Sequence, residues 1–216
     1  MRKTRNNNIG KHISGIALVL MLTISLNAQI NQPNIVLILA DDLGFECVTA
    51  NGGTSYHTPN IDMLANKGAR FKNCHSQPVC TPSRVQLMTG QYNVRNYSVF
   101  GELDRSQISF GNLFKNAGYK TAIAGKWQLG EEKDSPQHFG FEESCLWQQS
   151  YPRKDTAGHD TRFTKPILEF NGEVKHFNDD KYVPEIVSDF ICEFIEQNKD
   201  QPFVAYYPMI LTHCPF

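Results

Sequence analysis

The stretch "PVCTPSRVQLMTG", Pro78 to Gly90, sets one cysteine, Cys80, just ahead of an expected helix, with Arg84 one turn in. The first N–H groups of a helix are unpaired and carry the positive end of its dipole. A thiol there is expected to ionise easily, and the same place binds a tetrahedral oxyanion. Residue types alone leave four uses open for Cys80: half of a disulfide, a metal ligand, a nucleophile, or the raw material for a modification. A second reactive group stands upstream. In "PNIVLILADDLG" an apolar run from Ile35 to Leu39 stops at Asp41 and Asp42. Adjacent carboxylates repel each other unless a cation compensates, and their oxygens suit Ca²⁺ or Mg²⁺. Together these residues describe a pocket in which a divalent cation and a guanidinium hold an anionic ester.

The elements that must position them follow from periodicity and punctuation. Ile35 to Leu39 is continuous and β-branched, as suits a strand buried on both faces of a parallel sheet. Ligands of open α/β sheets bind beyond the carboxyl ends of such strands. "HTPNIDMLANKG" reads as a helix, with Thr58 as cap, Pro59 at the first position, Gly68 at the stop and an apolar face of Ile61, Leu64 and Ala65. Pro82 to Thr89 follows the same grammar, closed by Gly90, and Phe110, Leu113, Phe114 and Ala117 mark another helix before Gly118. Thr121 to Ala124 reads as a short strand, and Tyr151 to Asp180 as surface excursions and hairpins. Helical periodicity returns through Ile186, Phe190, Ile191 and Phe194, and "PFVAYYP" is a last strand ahead of "THCPF". The alternation predicts an α/β fold with a mostly parallel central sheet flanked by helices.

The chain has 216 residues and a formal net charge of -1, enough for one sizeable core and no electrostatic case for a nucleic-acid partner. Arg2, Lys3, Arg5 and Lys11 precede an apolar run, Ile16 to Leu26, and a small residue at Ala28. Residues 1–28 therefore read as a secretory signal peptide, cut after Ala28, and the product as exported, periplasmic or secreted. The run is too short to span a bilayer comfortably, so no stable membrane insertion is expected after cleavage; a retained anchor is the alternative. Export makes disulfides the default for the six cysteines, and the lack of a C-x-x-C pair gives no support to a structural zinc site. Cys74 is expected to be buried or disulfide-bonded, Trp127 and Trp147 to pack in the core, and His57 and His75 to be structural or surface residues.

"CTPSR", Cys80 to Arg84, resembles the C-x-P-S-R signature of type I sulfatases of the alkaline phosphatase superfamily. "NIVLILADDLG", "TPNIDMLANKGARF", "LMTGQY", "GKWQLG" and "PFVAYYPMILTHCPF" resemble that family too, in its order, and the likeness runs over residues 33–216. The resemblance implies a sulfatase-like fold and a use for Cys80 other than as a thiol. A formylglycine-generating or sulfatase-maturating enzyme would oxidise it to formylglycine, an aldehyde that hydrates to a geminal diol. One hydroxyl would attack sulfur and expel the alcohol; the other would then expel sulfate. Pro82 and Arg84 would be read by the maturation enzyme, and Arg84 would also hold the diol. Asp41 and Asp42 match the family's metal ligands, with modified Cys80 as another, for Ca²⁺ or alternatively Mg²⁺. Lys126 matches the lysine that contacts sulfate, and His213 the histidine that binds sulfate and protonates the leaving oxygen.

The implied substrate is a sulfated small molecule or glycan. One departure is Gln128, which stands where the family has histidine, facing the substrate with Lys126 and His213; it hydrogen-bonds but cannot titrate. The family also continues further, to an Asp-Asn pair on the metal and another lysine on the sulfate. Residues 33–216 are therefore expected to be the N-terminal part of a sulfatase catalytic domain, incomplete at the C-terminus and inactive alone. The alternatives are a phosphate or phosphonate ester hydrolase of the same superfamily, or a non-catalytic sulfatase-like remnant.

Overall fold

In a computed structural model that describes residues 32–178 and 180–214, the apolar runs form a six-stranded sheet. The expected leader, residues 1–28, lies outside the described residues. In chain order the elements are β1 (Ile35–Leu39), α1 (Pro59–Lys67), α2 (Cys80–Thr89), α3 (Asn93–Asn96), α4 (Phe110–Asn116), β2 (Lys120–Lys126), α5 (Ser135–His138), β3 (Glu143–Trp147), β4 (Ile167–Phe170), β5 (Glu173–His176), α6 (Val183–Asn198) and β6 (Phe203–Pro208). Across the sheet the order is β1-β6-β2-β3-β4-β5. The first four strands in that order are parallel, and β4 and β5 run antiparallel as a hairpin. The mostly parallel α/β architecture expected from the sequence is thus present. β6, the last strand among the described residues, inserts between β1 and β2, so the segments after β1, β6 and β2 emerge at one edge.

Period-two alternation assigns the two faces of the sheet. Phe203, Ala205, Ala122, Ala124, Cys145 and Trp147 pack with Val187, Ile191 and Phe194 of α6. Tyr206, Ile123 and Leu146 point the other way, onto Val85 and Met88 of α2 and onto Trp127, Phe139 and Phe141. Each large apolar side chain buried this completely contributes roughly 1.5–3 kcal/mol. Trp127 and Trp147 are core residues, as expected.

Several expectations need correction. β1 is not buried on both faces: Val36 is 49 % and Ile38 56 % exposed, and these alternate residues share a face that is not fully covered among the described residues. α1 buries none of its residues, so the apolar face of Ile61 and Leu64 is presented to solvent. Thr58 precedes that helix without capping it; its hydroxyl is engaged with Thr49 and Asp62 instead. α2 starts at Cys80 rather than after it, with Val79 preceding it and supplying no side-chain cap. All six cysteines are free, and Cys74 is exposed rather than buried or bridged. β3 has no periodic signal that announces it, because its sequence, ESCLW, has little of the β-branched signature.

One glycine is needed where the sheet meets the site. Gly125 has φ +133, and a Cβ there would lie 2.0 Å from the carbonyl oxygen of Pro208. Gly125→Ala is expected to force β2 and β6 apart, at about 1–3 kcal/mol for backbone strain and a similar amount for overpacking. A thermal or urea unfolding curve would read this as a loss of several kcal/mol; an unchanged midpoint would show that the two strands separate freely.

Candidate active site

The edge where β1, β6 and β2 end is stitched by backbone bonds that continue the parallel ladder. Met209 N donates to Leu39 O at 2.8 Å, Asp41 N to Leu211 O at 2.9 Å, and Thr212 N to Asp41 O at 2.7 Å. The residue after β2 is joined to the end of β3 in the same way, Trp127 N to Trp147 O at 3.1 Å. Three residues leave these strands in left-handed conformations, Asp42 with φ 62, Gln128 with φ 56 and Gln148 with φ 58. Asp tolerates that region; for glutamine it costs energy, and such strain gathers at functional sites.

Asp41 is the buried centre of the cluster. It is 4 % exposed, and its carboxylate is held from two sides. Lys126 Nζ donates to Oδ2 at 2.7 Å, and Arg84 Nη2 stands 3.4 Å from Oδ1. Arg84 Nη1 donates to the carbonyl of Lys126 at 2.9 Å, which ties the two cations into one triangle. Arg84, one turn along α2, is 1 % exposed, and its Nε and Nη2 have no hydrogen-bond partner. The buried hydroxyl of Tyr206 is also without one. Burial pushes the Tyr206 phenol up to about 12, against the opposing pull of the Arg84 charge, so it stays protonated at neutral pH.

The other sequence-predicted residues surround this triangle. Cys80 Sγ donates to Gln128 Oε1 at 2.8 Å, which bridges the start of α2 to the loop after β2. Asp42 is exposed, and its Oδ2 lies 3.5 Å from Nε2 of the partly exposed His213. Asp41, Asp42, Cys80 and Arg84 line one cleft of about 390 Å³. A larger hollow of about 690 Å³, by Tyr151, Lys165 and His176, contains none of the seven predicted residues. His57 and His75 are exposed and absent from the contacts of this cluster. Sequence reasoning missed Arg162, whose Nη1 reaches His213 Nδ1 at 2.8 Å. It sits in a polar stretch without periodicity, where one arginine carries no signal.

Asp41 and Asp42 offer a hard divalent cation the right oxygen chemistry, but Ca²⁺ takes about 6–8 ligands. Among the described residues no third acid, histidine or cysteine completes a cluster with them. Donor type fits and donor number falls short, so further oxygens are required. The unpartnered nitrogens of Arg84 fit a neighbour that brings hydrogen-bond acceptors. The two carboxylates should behave differently in metal-free buffer. Asp41→Asn leaves Lys126 and Arg84 buried against a neutral amide and should cost about 3–5 kcal/mol. Asp42→Asn, at an exposed pair and in a conformation asparagine accepts, should cost about 1 kcal/mol or less. Chemical denaturation in chelator compares them, and equal losses would show that the triangle is not a structural element.

A profile for the family described as Sulfatase matches residues 33–216. The chain is similar to human steryl-sulfatase, 39% identical over 132 residues, which is 51% of this chain and 23% of that protein. It is also similar to an N-acetylglucosamine-6-O-sulfatase of Bacteroides thetaiotaomicron, 30% identical across 86% of this chain and 31% of that protein. Among solved structures, BT4656 in complex with its substrate D-glucosamine-2-N,6-O-disulfate aligns with a TM-score of 0.72 and 29% identity, over 85% of this chain and 35% of that one. Ps i-CgsB aligns at 0.74 and 28%, over 86% and 46%. This chain therefore spans less than half of each of these proteins. The profile runs through every segment that carries the site, from the end of β1 to His213, and on that match the chain belongs to the sulfatase family.

Proposed function

We propose that the protein to which this chain belongs hydrolyses sulfate monoesters, with Cys80 as the precursor of its nucleophile. The observation that carries this reading is the buried Asp41–Lys126–Arg84 triangle beside Cys80 at an uncapped helix start. When present, formylglycine at position 80 supplies a hydrated aldehyde as nucleophile, and a divalent cation polarises the sulfate oxygens. Asp41 and Asp42 would hold that cation, Ca²⁺ or Mg²⁺, through carboxylate oxygens, with the side chain at position 80, substrate and further chain or water completing the shell.

This chain's own residues do the rest. Lys126 and Arg84 keep two positive charges in a site largely closed to water, where they act on an anion more strongly than in solvent. Lys126 is shared between Asp41 and the incoming sulfate. Arg84 orients the side chain at position 80 from one turn along α2. Gln128 accepts a hydrogen bond from position 80, a contact that positions the nucleophile and cannot remove its proton. His213, with Nε2 toward the cleft, donates to the ester oxygen that leaves. The relatives support a sulfated sugar as substrate: one is an N-acetylglucosamine-6-O-sulfatase, and BT4656 is described with a disulfated glucosamine. Export by the segment 1–28 and maturation by a formylglycine-generating enzyme complete the proposal.

The test is to produce the full-length protein together with a maturation enzyme. Mass spectrometry of the peptide that carries Cys80 should show aldehyde or its hydrate, and turnover should be found on an aryl sulfate well above that on the matching phosphate. Active protein with Cys80 only as thiol would end the formylglycine reading, and a preference for phosphate would move the protein to the ester-hydrolase alternative. Cys80→Ala should lose at least about 10³-fold in kcat, as loss of a covalent nucleophile does elsewhere.

A further inference from the structure

Arg162 is used by nothing described so far, yet it is 3 % exposed and reaches the site. It lies between β3 and β4. Its guanidinium packs against the Trp147 ring, 5.3 Å from the centroid, and 5.9 Å from that of Phe163. The segment is clamped in place. Trp147 Nε1 donates to Thr161 Oγ1 at 3.1 Å, the backbone N–H of Arg162 to Asp160 Oδ1 at 3.0 Å, and Val183 N to Phe163 O at 3.1 Å. The carboxylate of Asp160 comes no nearer to Nη2 than 3.7 Å. The close partners of Arg162 Nη1 are His213 Nδ1, at 2.8 Å, and the carbonyl of Cys214.

His213 Nδ1 also lies 2.5 Å from that carbonyl, a contact that by itself would call for a proton on Nδ1. The two contacts exclude each other. An arginine nitrogen has no lone pair to accept with, so a proton on Nδ1 would face the Arg162 N–H. The carbonyl meanwhile receives its bond from Arg162. If Nδ1 accepts from Arg162, the ring proton resides on Nε2, the nitrogen 3.5 Å from Asp42 at the cleft.

We infer that Arg162 is a positioning residue, which holds His213 in the tautomer whose Nε2–H faces the leaving oxygen of the substrate. Its catalytic consequence rests on the sulfatase reading; its geometry does not. Orientation of a ring by a partner on its other nitrogen is a general device of histidine sites. Here the partner is a cation, which leaves Nδ1 only the accepting role. The aromatic faces of Trp147 and Phe163 offset part of the cost of burying that cation.

The experiment uses the full-length matured protein with ¹⁵N-labelled histidine, and Arg162→Met and Arg162→Lys beside it. Wild type should show His213 with Nδ1 unprotonated and Nε2 protonated. Arg162→Met should move the proton toward Nδ1, bonded to the Cys214 carbonyl, and Arg162→Lys, which keeps a donor, should restore the original form. In turnover, Arg162→Met should lose about tenfold more on a sugar or alkyl sulfate than on an activated aryl sulfate, the size of one mis-aimed hydrogen bond to the poor leaving group. An unchanged tautomer in Arg162→Met, or equal losses on both substrates, would overturn the inference. If Arg162→Met does not fold, Arg162→Lys decides: a retained Nε2–H form supports the role and an Nδ1–H form refutes it. His213→Ala separates the two proposals. Equal losses on both substrates there would remove His213 from leaving-group chemistry, while the tautomer measurement still judges Arg162.

Discussion

A single carboxylate, that of Asp41, governs the arrangement of this site. It is buried, and a buried charge is tolerated only when opposite charge and hydrogen bonds surround it. Lys126 and Arg84 do so, from different elements: the end of β2 and the first turns of α2. Because Arg84 also grips the Lys126 carbonyl, the helix, β2 and the end of β1 cannot move independently. Cys80 gains its location from this, since it stands one turn before Arg84 on the same helix. The thiol then meets Gln128 because the loop after β2 leaves Lys126 in a left-handed turn.

The two carboxylates at the end of β1 are adjacent in sequence and opposite in environment. Asp41 faces inward among cations, and Asp42, thrown outward by a positive φ, faces His213. A pair of identical side chains therefore separates into a fixed interior group and an adjustable one at the mouth. That division suits the binding of a cation, which needs one ligand already held and another able to close on it.

The sheet is unevenly covered. β6, β2 and β3 are packed on both faces, whereas β1 and α1 expose Val36, Ile38, Ile61 and Leu64. The site lies at the boundary between these regions, with one wall in the solid core around Trp127 and Trp147 and the other near the exposed edge. Groups on the core side, Arg84, Lys126 and Arg162, are held by packing and are nearly fully buried. Those on the open side, Asp42 and His213, keep access to solvent.

The sequence by itself determined the residue types of the site, the α/β class and the order of most elements. Those depend on short-range patterns: an apolar run halted by two acids, a proline and a glycine bracketing a helix, C-x-P-S-R at its start. It did not determine which strand lies beside which. Lys126 and Asp41 are 85 residues apart, and only the insertion of β6 beside both β1 and β2 brings them within 2.7 Å. The burial of Arg84 was equally illegible, since an arginine on a helix looks the same whether it faces water or a carboxylate from another element. β1 misled for the converse reason: an apolar run states that a strand tolerates burial on both faces, and what covers it is a property of the rest of the molecule. Arg162 shows the limit most clearly, because its partners, His213 and the Trp147 ring, come from segments that no local pattern connects. Periodicity is a property of neighbours along the chain, whereas charge pairing, burial and tautomer belong to neighbours in space, and only the tertiary structure decided those.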